Sequence, residues 1–261
     1  MSDAPPSRSP ATLHEQFRRD GYGVARGLAT PDLLQALRDE IDAILDPPLG
    51  PLEYEAELGY PGAPEALTAT GGRTPRRLLL AYSRGAIFRR WACAPEVVRE
   101  VCALLGSQTP TLVQAHHNCI MTKYPRYGSE TAWHQDIRYW SFQRPDLINV
   151  WLALGQEQPD NGGLRVAPGS HRMHFAADQF DAARFFRSDL ADNRALLETA
   201  VPVNLEAGDV LFFHCRLLHA AGRNEADAPK RSLVFTYTRQ DNAPLPGTRS
   251  ARLARIPLPE V

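Results

Sequence analysis

From Thr109 onward the chain breaks into short runs of β-branched and aromatic residues separated by turn residues, and this texture restricts the fold more than any other feature. The runs cover 111–116, 118–124, 148–153, 164–167, 201–205, 210–214 and 232–238. Strands of that length at that spacing form a sandwich or a barrel, because each buries one face and needs a second layer to cover it. The stretch 175–197 interrupts the pattern with Phe180, Phe185, Phe186, Leu190 and Leu196 in polar-rich surroundings. It reads as a mostly helical insertion, within about 172–200, laid over one end of the β structure as a lid.

Helices dominate the earlier part. Thr12-Leu13-His14-Glu15 has the form of a capping box, and Thr30-Pro31-Asp32 opens a helix whose Leu33, Leu34, Leu37, Ile41 and Leu45 recur at three- and four-residue steps. The run 94–106 is a third helix, closed by Gly106. Residues 47–76, rich in Pro and Gly, read as a long surface loop. Residues 1–11 carry Pro5, Pro6, Ser7, Ser9 and Pro10 without an apolar core, which reads as a disordered lead and not a signal peptide. A single domain over 12–261 is expected, since no linker divides the 261 residues.

Twenty-nine basic and thirty acidic residues leave a net charge of −1, and no block of like charge marks a nucleic-acid or membrane surface. No apolar run reaches the ~20 residues of a membrane span, so a cytoplasmic location is expected. The four cysteines, Cys93, Cys102, Cys119 and Cys215, lack CxxC spacing and sit among apolar neighbours, as free thiols in a reducing compartment do.

His134 and Asp136 lie two apart, which on an extended strand points an imidazole and a carboxylate the same way. The run 209–219 brings a third candidate ligand, His219, beyond the turn at Gly208-Asp209. Two imidazoles and one carboxylate with open positions are the facial triad of non-haem iron(II) oxygenases. Arg231 opens the apolar, aromatic strand 230–238. A guanidinium facing a core needs an anion, and its planar fork suits a carboxylate; an exposed arginine at a strand end is the alternative. His116 and His117 are adjacent, so on a regular strand one faces in and one out. His171 reads as a turn residue, and His14, His174 and His214 as surface or scaffold.

Together, His134-Gln135-Asp136, the run Asn161-Gly162-Gly163 through His171, the run 208–219 and Arg231 resemble the phytanoyl-CoA dioxygenase family of iron(II)- and 2-oxoglutarate-dependent oxygenases. Phe17 to Tyr22 is similar to that family's opening strand, and the resemblance covers roughly residues 13–240. It implies a mainly β fold with flanking helices around a double-stranded β-helix, the jelly-roll or cupin-like core. It implies iron(II) on His134, Asp136 and His219, with 2-oxoglutarate and dioxygen as co-substrates. Arg231 would grip the far carboxylate of 2-oxoglutarate, Asn118 and Thr122 would touch the co-substrate, and Trp151 would wall the pocket.

Two positions qualify the resemblance. Relatives often carry a hydroxyl residue two places after the second histidine, where this chain has Ala221. Halogenating relatives lose the ligand carboxylate, whereas this chain keeps Asp136, so hydroxylation of a small organic substrate is expected, by a monomer or homodimer. The aromatic set Tyr139, Trp140, Phe142 and Trp151, with Arg138 and Arg84, suggests a ligand both apolar and anionic. A non-catalytic jelly roll that binds a metal or ligand is the rival from another class, and a metal hydrolase lacks a general base near the triad.

Overall fold

The computed structural model describes residues 12–259, so the lead expected over 1–11 lies outside the described residues. Helix α1 (Leu13–Asp20) starts in a true capping box: the Thr12 hydroxyl accepts from the Glu15 amide and the Glu15 carboxylate accepts from the Thr12 amide. Gly21 closes it at φ 84°, a left-handed conformation that a side chain disfavours. Strand β1 (Tyr22–Ala25) follows, then α2 (Pro31–Leu45), whose buried stripe is Leu33, Leu34, Leu37, Ile41 and Ile44. The loop after α2 contains the short strand β2 (Leu52–Tyr54) and leads into β3 (Pro75–Leu79). Helices α3 (Ala81–Arg84), α4 (Ala86–Ala92) and α5 (Pro95–Leu105) complete the helical layer.

The β part runs β4 (Pro110–Lys123), β5 (Thr131–His134), β6 (Leu147–Ala153) and β7 (Leu164–Val166), then α6 (Ala191–Leu197). It continues with β8 (Val201–Pro202), β9 (Val210–His214), β10 (His219–Ala221), β11 (Lys230–Arg239) and β12 (Ile256–Pro257). The larger sheet has the order β1-β9-β6-β11-β4-β3-β2, with β12 paired to β4, and the smaller sheet has the order β5-β10-β7-β8. Neighbouring strands are antiparallel. This is the expected jelly roll, with mainly β structure and helices on one sheet.

Strand alternation assigns each face of the larger sheet. Leu233, Phe235 and Tyr237 of β11 join Ile120, Leu152 and Phe212 against the helices, where Phe88 and Trp91 are fully buried. Burying each such side chain stabilises the fold by about 1.5–3 kcal/mol relative to leaving it exposed. The opposite face carries Cys119, Trp151, Leu211, Phe213 and Val234 into contact with Leu164, Val166 and Leu205 on the smaller-sheet side. The metal ligands and their cleft lie at one end of this inter-sheet layer.

Local structure departs from expectation in three places. The two runs 111–116 and 118–124 form one strand, β4, but its pairing with β11 jumps from Asn118↔Phe235 to Val113↔Thr236. Residues 114–117 bulge out, with His116 at φ 74°, so His116 and His117 both line the cleft instead of splitting between faces. Second, the insertion is less helical than expected. Apart from α6 and a short turn at Ala177–Gln179 it is irregular. Its aromatic residues explain this: Phe186 is buried with Ala167 and Leu218, and Phe175, Phe180 and Trp133 pack around them. Third, strand β5 ends at His134, and a 3-10 turn over Asp136–Tyr139 begins at once.

All four cysteines are free, as expected from their spacing. No helix among the described residues is long and apolar enough to cross a membrane.

Candidate metal centre

His134 ends β5 and His219 begins β10, and the two are directly paired across that ladder. Their ring centroids are 4.3 Å apart. Gln135 keeps an extended backbone, so Asp136 emerges on the same side as His134 even though the strand has ended. One ligand atom from each of His134, Asp136 and His219 lies within 4.8 Å of the others. Asp136 Oδ1 is 3.4 Å from His134 Nε2 and 3.6 Å from His219 Nε2.

The shell behind these atoms holds them in a ligating state. His134 Nδ1 lies 2.8 Å from the Ala132 carbonyl and His219 Nδ1 lies 3.0 Å from the Leu217 carbonyl. A carbonyl only accepts, so both rings carry the proton on Nδ1 and present bare Nε2 lone pairs. Asp136 Oδ2 accepts from Asn149 at 2.8 Å and sits 3.2 Å from His117 Nε2, and Thr236 in turn donates to the Asn149 amide oxygen. Asp136 Oδ1, though fully buried, has no hydrogen-bond partner among the described residues.

An orphaned carboxylate oxygen beside two bare imidazole nitrogens is a costly arrangement without a cation and a favourable one around it. The donor set therefore fits iron(II). Burial pushes His219 down to about 4, which keeps it neutral for ligation at neutral pH. Burial alone would raise the Asp136 carboxyl, but the neighbouring His117 and His219 more than offset this and hold it well below the usual range.

The triad opens onto a cleft with about 670 Å³ of empty space, open solvent included. Phe213 stands edge-on to His219, and Phe185 of the insertion stands edge-on to His134. Four cations line the cleft: Arg76, Arg77, Lys123 and Lys230. Arg77 makes two bonds to Glu53, at 2.9 and 2.7 Å, and Lys230 reaches the buried Glu157 at 3.1 Å. Arg76 Nε is 3.7 Å from Glu55.

Arg231 is elsewhere, and the expected clamp role needs correction. It lies on the helix-facing side of β11 in phase with Leu233 and Phe235, and its guanidinium pairs with Asp42 of α2. Strand phase is the reason: Lys230 lines the cleft and Ser232 shares its face, bonded to Glu157, so the residue between them points away. The Asp42 side chain is 61% exposed, and such pairs contribute about 0–1 kcal/mol. Arg231→Ala should therefore leave 2-oxoglutarate affinity within about twofold of wild type and lower stability by no more than ~1 kcal/mol. Calorimetric titration and urea denaturation check this, and a tenfold loss of affinity would return the clamp to Arg231.

The weaker assignments divide. Trp151 lines the cleft, with its indole N–H donated to Glu157. Thr122 borders the cleft, but its hydroxyl is committed to the Pro75 carbonyl. Asn118 lies outside the cleft lining and accepts from the Tyr82 amide next to the helices. Of the aromatic set, Tyr139 lines the cleft, stacked on His116 at 3.6 Å, whereas Trp140 is buried with its N–H on the Ala115 carbonyl. Arg84 is occupied by backbone carbonyls of Leu49, Leu79 and Pro51. His171 packs against Gly21 and His214, away from the triad.

No sequence motif singles out Arg76, Arg77, Lys123, Lys230, Glu157 or Asn149. One signal is present in the sequence. In 230–238 the large apolar residues Leu233, Phe235 and Tyr237 alternate with Ser232 and Thr236, which marks the core phase and puts Arg231 with the former.

Comparison with known proteins agrees with this geometry. Residues 17–232 match the family model of phytanoyl-CoA dioxygenase (PhyH). Dioxygenase FrzG of Cladobotryum sp is 28% identical over 267 residues, covering 92% of this chain and 78% of that protein. The ectoine dioxygenase of Stutzerimonas stutzeri is 23% identical over 249 residues, covering 89% and 78%. Among solved structures, EctD from S. alaskensis with 2-oxoglutarate and 5-hydroxyectoine superposes with a TM-score of 0.74 at 21% identity, covering 94% of this chain and 80% of that one. The epimerase SnoN in complex with Fe3+, α-ketoglutarate and nogalamycin RO gives 0.71 at 22% identity, covering 95% and 94%. At these identities the structural likeness shows the fold, while the family match spans most of the chain. The chain belongs to the phytanoyl-CoA dioxygenase family of iron(II)- and 2-oxoglutarate-dependent oxygenases.

Proposed function

We propose that this protein hydroxylates a C–H bond of a small organic substrate while 2-oxoglutarate and dioxygen are converted to succinate and carbon dioxide, one oxygen atom entering each organic product. The observation that carries this reading is the buried, unpartnered Asp136 Oδ1 facing the Nε2 atoms of His134 and His219. Iron(II) bound there supplies the activation of dioxygen and the oxidation of the C–H bond.

The chain's own residues supply the rest. His134 and His219 present neutral imidazoles because their Nδ1 protons are tied to backbone carbonyls. Asn149 and His117 hold Asp136 so that one oxygen stays turned to the histidines. The cleft residues Arg76 and Lys123 give it a cationic side, which suits the distal carboxylate of 2-oxoglutarate in place of Arg231. Tyr139 lines the cleft, and both Tyr139 and Phe185 of the insertion stand edge-on to His134, apolar cover that limits the water reaching the oxidised carbon. That location suits the insertion to act as a cover, as the sequence suggested.

The structural neighbours include an epimerase and a carbocyclase, so the product is not set by the fold. Hydroxylation is favoured by the intact carboxylate ligand and by sequence relatives named as dioxygenases. The test is to supply iron(II), 2-oxoglutarate and air with a panel of small acids, amino acids and polycyclic metabolites. Substrate-stimulated succinate, equimolar with a product sixteen mass units heavier, is expected. Iron binding without any 2-oxoglutarate binding or consumption would favour the non-catalytic jelly roll.

A further inference from the structure

Of the four cations in the cleft, three have a carboxylate: Arg77 has Glu53, Lys230 has Glu157 and Arg76 has Glu55. Glu157 is fully buried and holds three donors, accepting from Ser232 at 2.6 Å and from Trp151 at 3.0 Å as well as from Lys230. Lys230 is thus neutralised inside the fold. Lys123 is different: among the described residues its ammonium has one partner, the neutral carbonyl of Gly222. An ammonium has three donors, so the acceptors present leave it short.

The path to that ammonium is built into the chain. Lys123 is the last residue of β4 and is paired directly with Lys230 on β11. Its stem lies where glycines leave room: a Cβ on Gly162 would stand 2.4 Å from Lys123 Cδ, and one on Gly128 would stand 2.8 Å from Cγ. Gly162, of the Asn161-Gly162-Gly163 motif, also has φ +77°, so neither space nor backbone favours a side chain there.

We infer that Lys123 is the residue that supplies the charge for the distal carboxylate of 2-oxoglutarate, while Glu157 withholds Lys230 from that role. This rests on the oxygenase reading above and names the anion partner within it. Two like charges stand near Lys123, Lys230 and Arg76, and two acids, Glu55 and Glu130, oppose them. Burial first, then Lys230 and Arg76, push Lys123 down to about 7. An incoming carboxylate favours the charged ammonium, so binding above that pH draws a proton onto Lys123. Below it the ammonium is already charged and affinity is flat. Above it affinity falls by up to about tenfold per pH unit, until the raised bound-state value is passed. An arginine clamp would show no such slope, because it stays charged throughout.

The experiment is titration of 2-oxoglutarate into the Mn(II)-saturated protein without oxygen, from about pH 6.5 to 8.5. Wild type should weaken by roughly tenfold across the upper unit. Lys123→Met keeps the apolar stem; it should bind Mn(II) normally, weaken 2-oxoglutarate at least about tenfold at the acid end, and lose the slope. Wild-type affinity and slope in Lys123→Met would overturn the inference and leave the oxygenase reading intact. Should that variant fail to take up Mn(II), the wild-type profile decides, since a flat profile overturns the inference as well. Absence of 2-oxoglutarate binding by wild type at every pH would overturn the oxygenase reading and this inference with it.

Discussion

His219→Ala is expected to abolish succinate formation and to weaken iron(II) binding beyond the ~10–100-fold that loss of a supporting hydrogen bond costs a metal site. His219 supplies one of the two nitrogen ligands found among the described residues and faces the buried Asp136 oxygen at 3.6 Å. Removing it leaves two ligands, His134 and Asp136, and opens the space opposite β5. The fold should survive, because the exchange shortens a side chain at the end of a three-residue strand and leaves the larger sheet unchanged. Anaerobic titration with cobalt(II), followed by its visible absorption, measures the metal loss separately from activity. Full turnover in this variant would remove His219 from the site.

Glu157→Gln is expected to cost about 3–5 kcal/mol of folding stability, because it leaves the Lys230 ammonium buried without its counter-charge. The pair is nearly sealed: the two side chains are 4% and 1% exposed. Ser232 and Trp151 also lose a charged acceptor, and hydrogen bonds to charged groups contribute more than neutral ones, about 1.5–3 kcal/mol each. Urea denaturation measures the loss. Lys230→Met in the same background should recover much of it, since it removes the buried charge that Gln leaves without a counter-charge. A loss below ~1 kcal/mol would show that Lys230 swings out to the cleft when released.

Much of this protein is legible without coordinates, wherever the governing interaction is local. The capping box at Thr12, the prolines that open the second and third helices and the glycine and proline stops are local signals, so the helices at Leu13–Asp20, Pro31–Leu45 and Pro95–Leu105 can be read directly. The short β runs marked the sandwich for the same reason. The metal ligands were legible because a chemical requirement, two imidazoles and a carboxylate, picks them out of a short list, and the structure brings those three together.

Pairing partners decided the remainder. Lys230 and Arg231 are adjacent cations, and a one-residue difference in strand phase sends one into the cleft and the other onto Asp42. The bulge at 114–117 exists because β4 must meet β11 in two different registers, so no alternation rule applied to β4 alone places His116 and His117 on the same side. Glu157 and Lys230 are 73 residues apart, and only the closing of the sheet reveals that one cancels the other. That closure also leaves Lys123 as a cleft cation with no carboxylate paired to it among the described residues, because charge inside a cleft depends on which side chains the fold places together and not on the order in which the chain presents them.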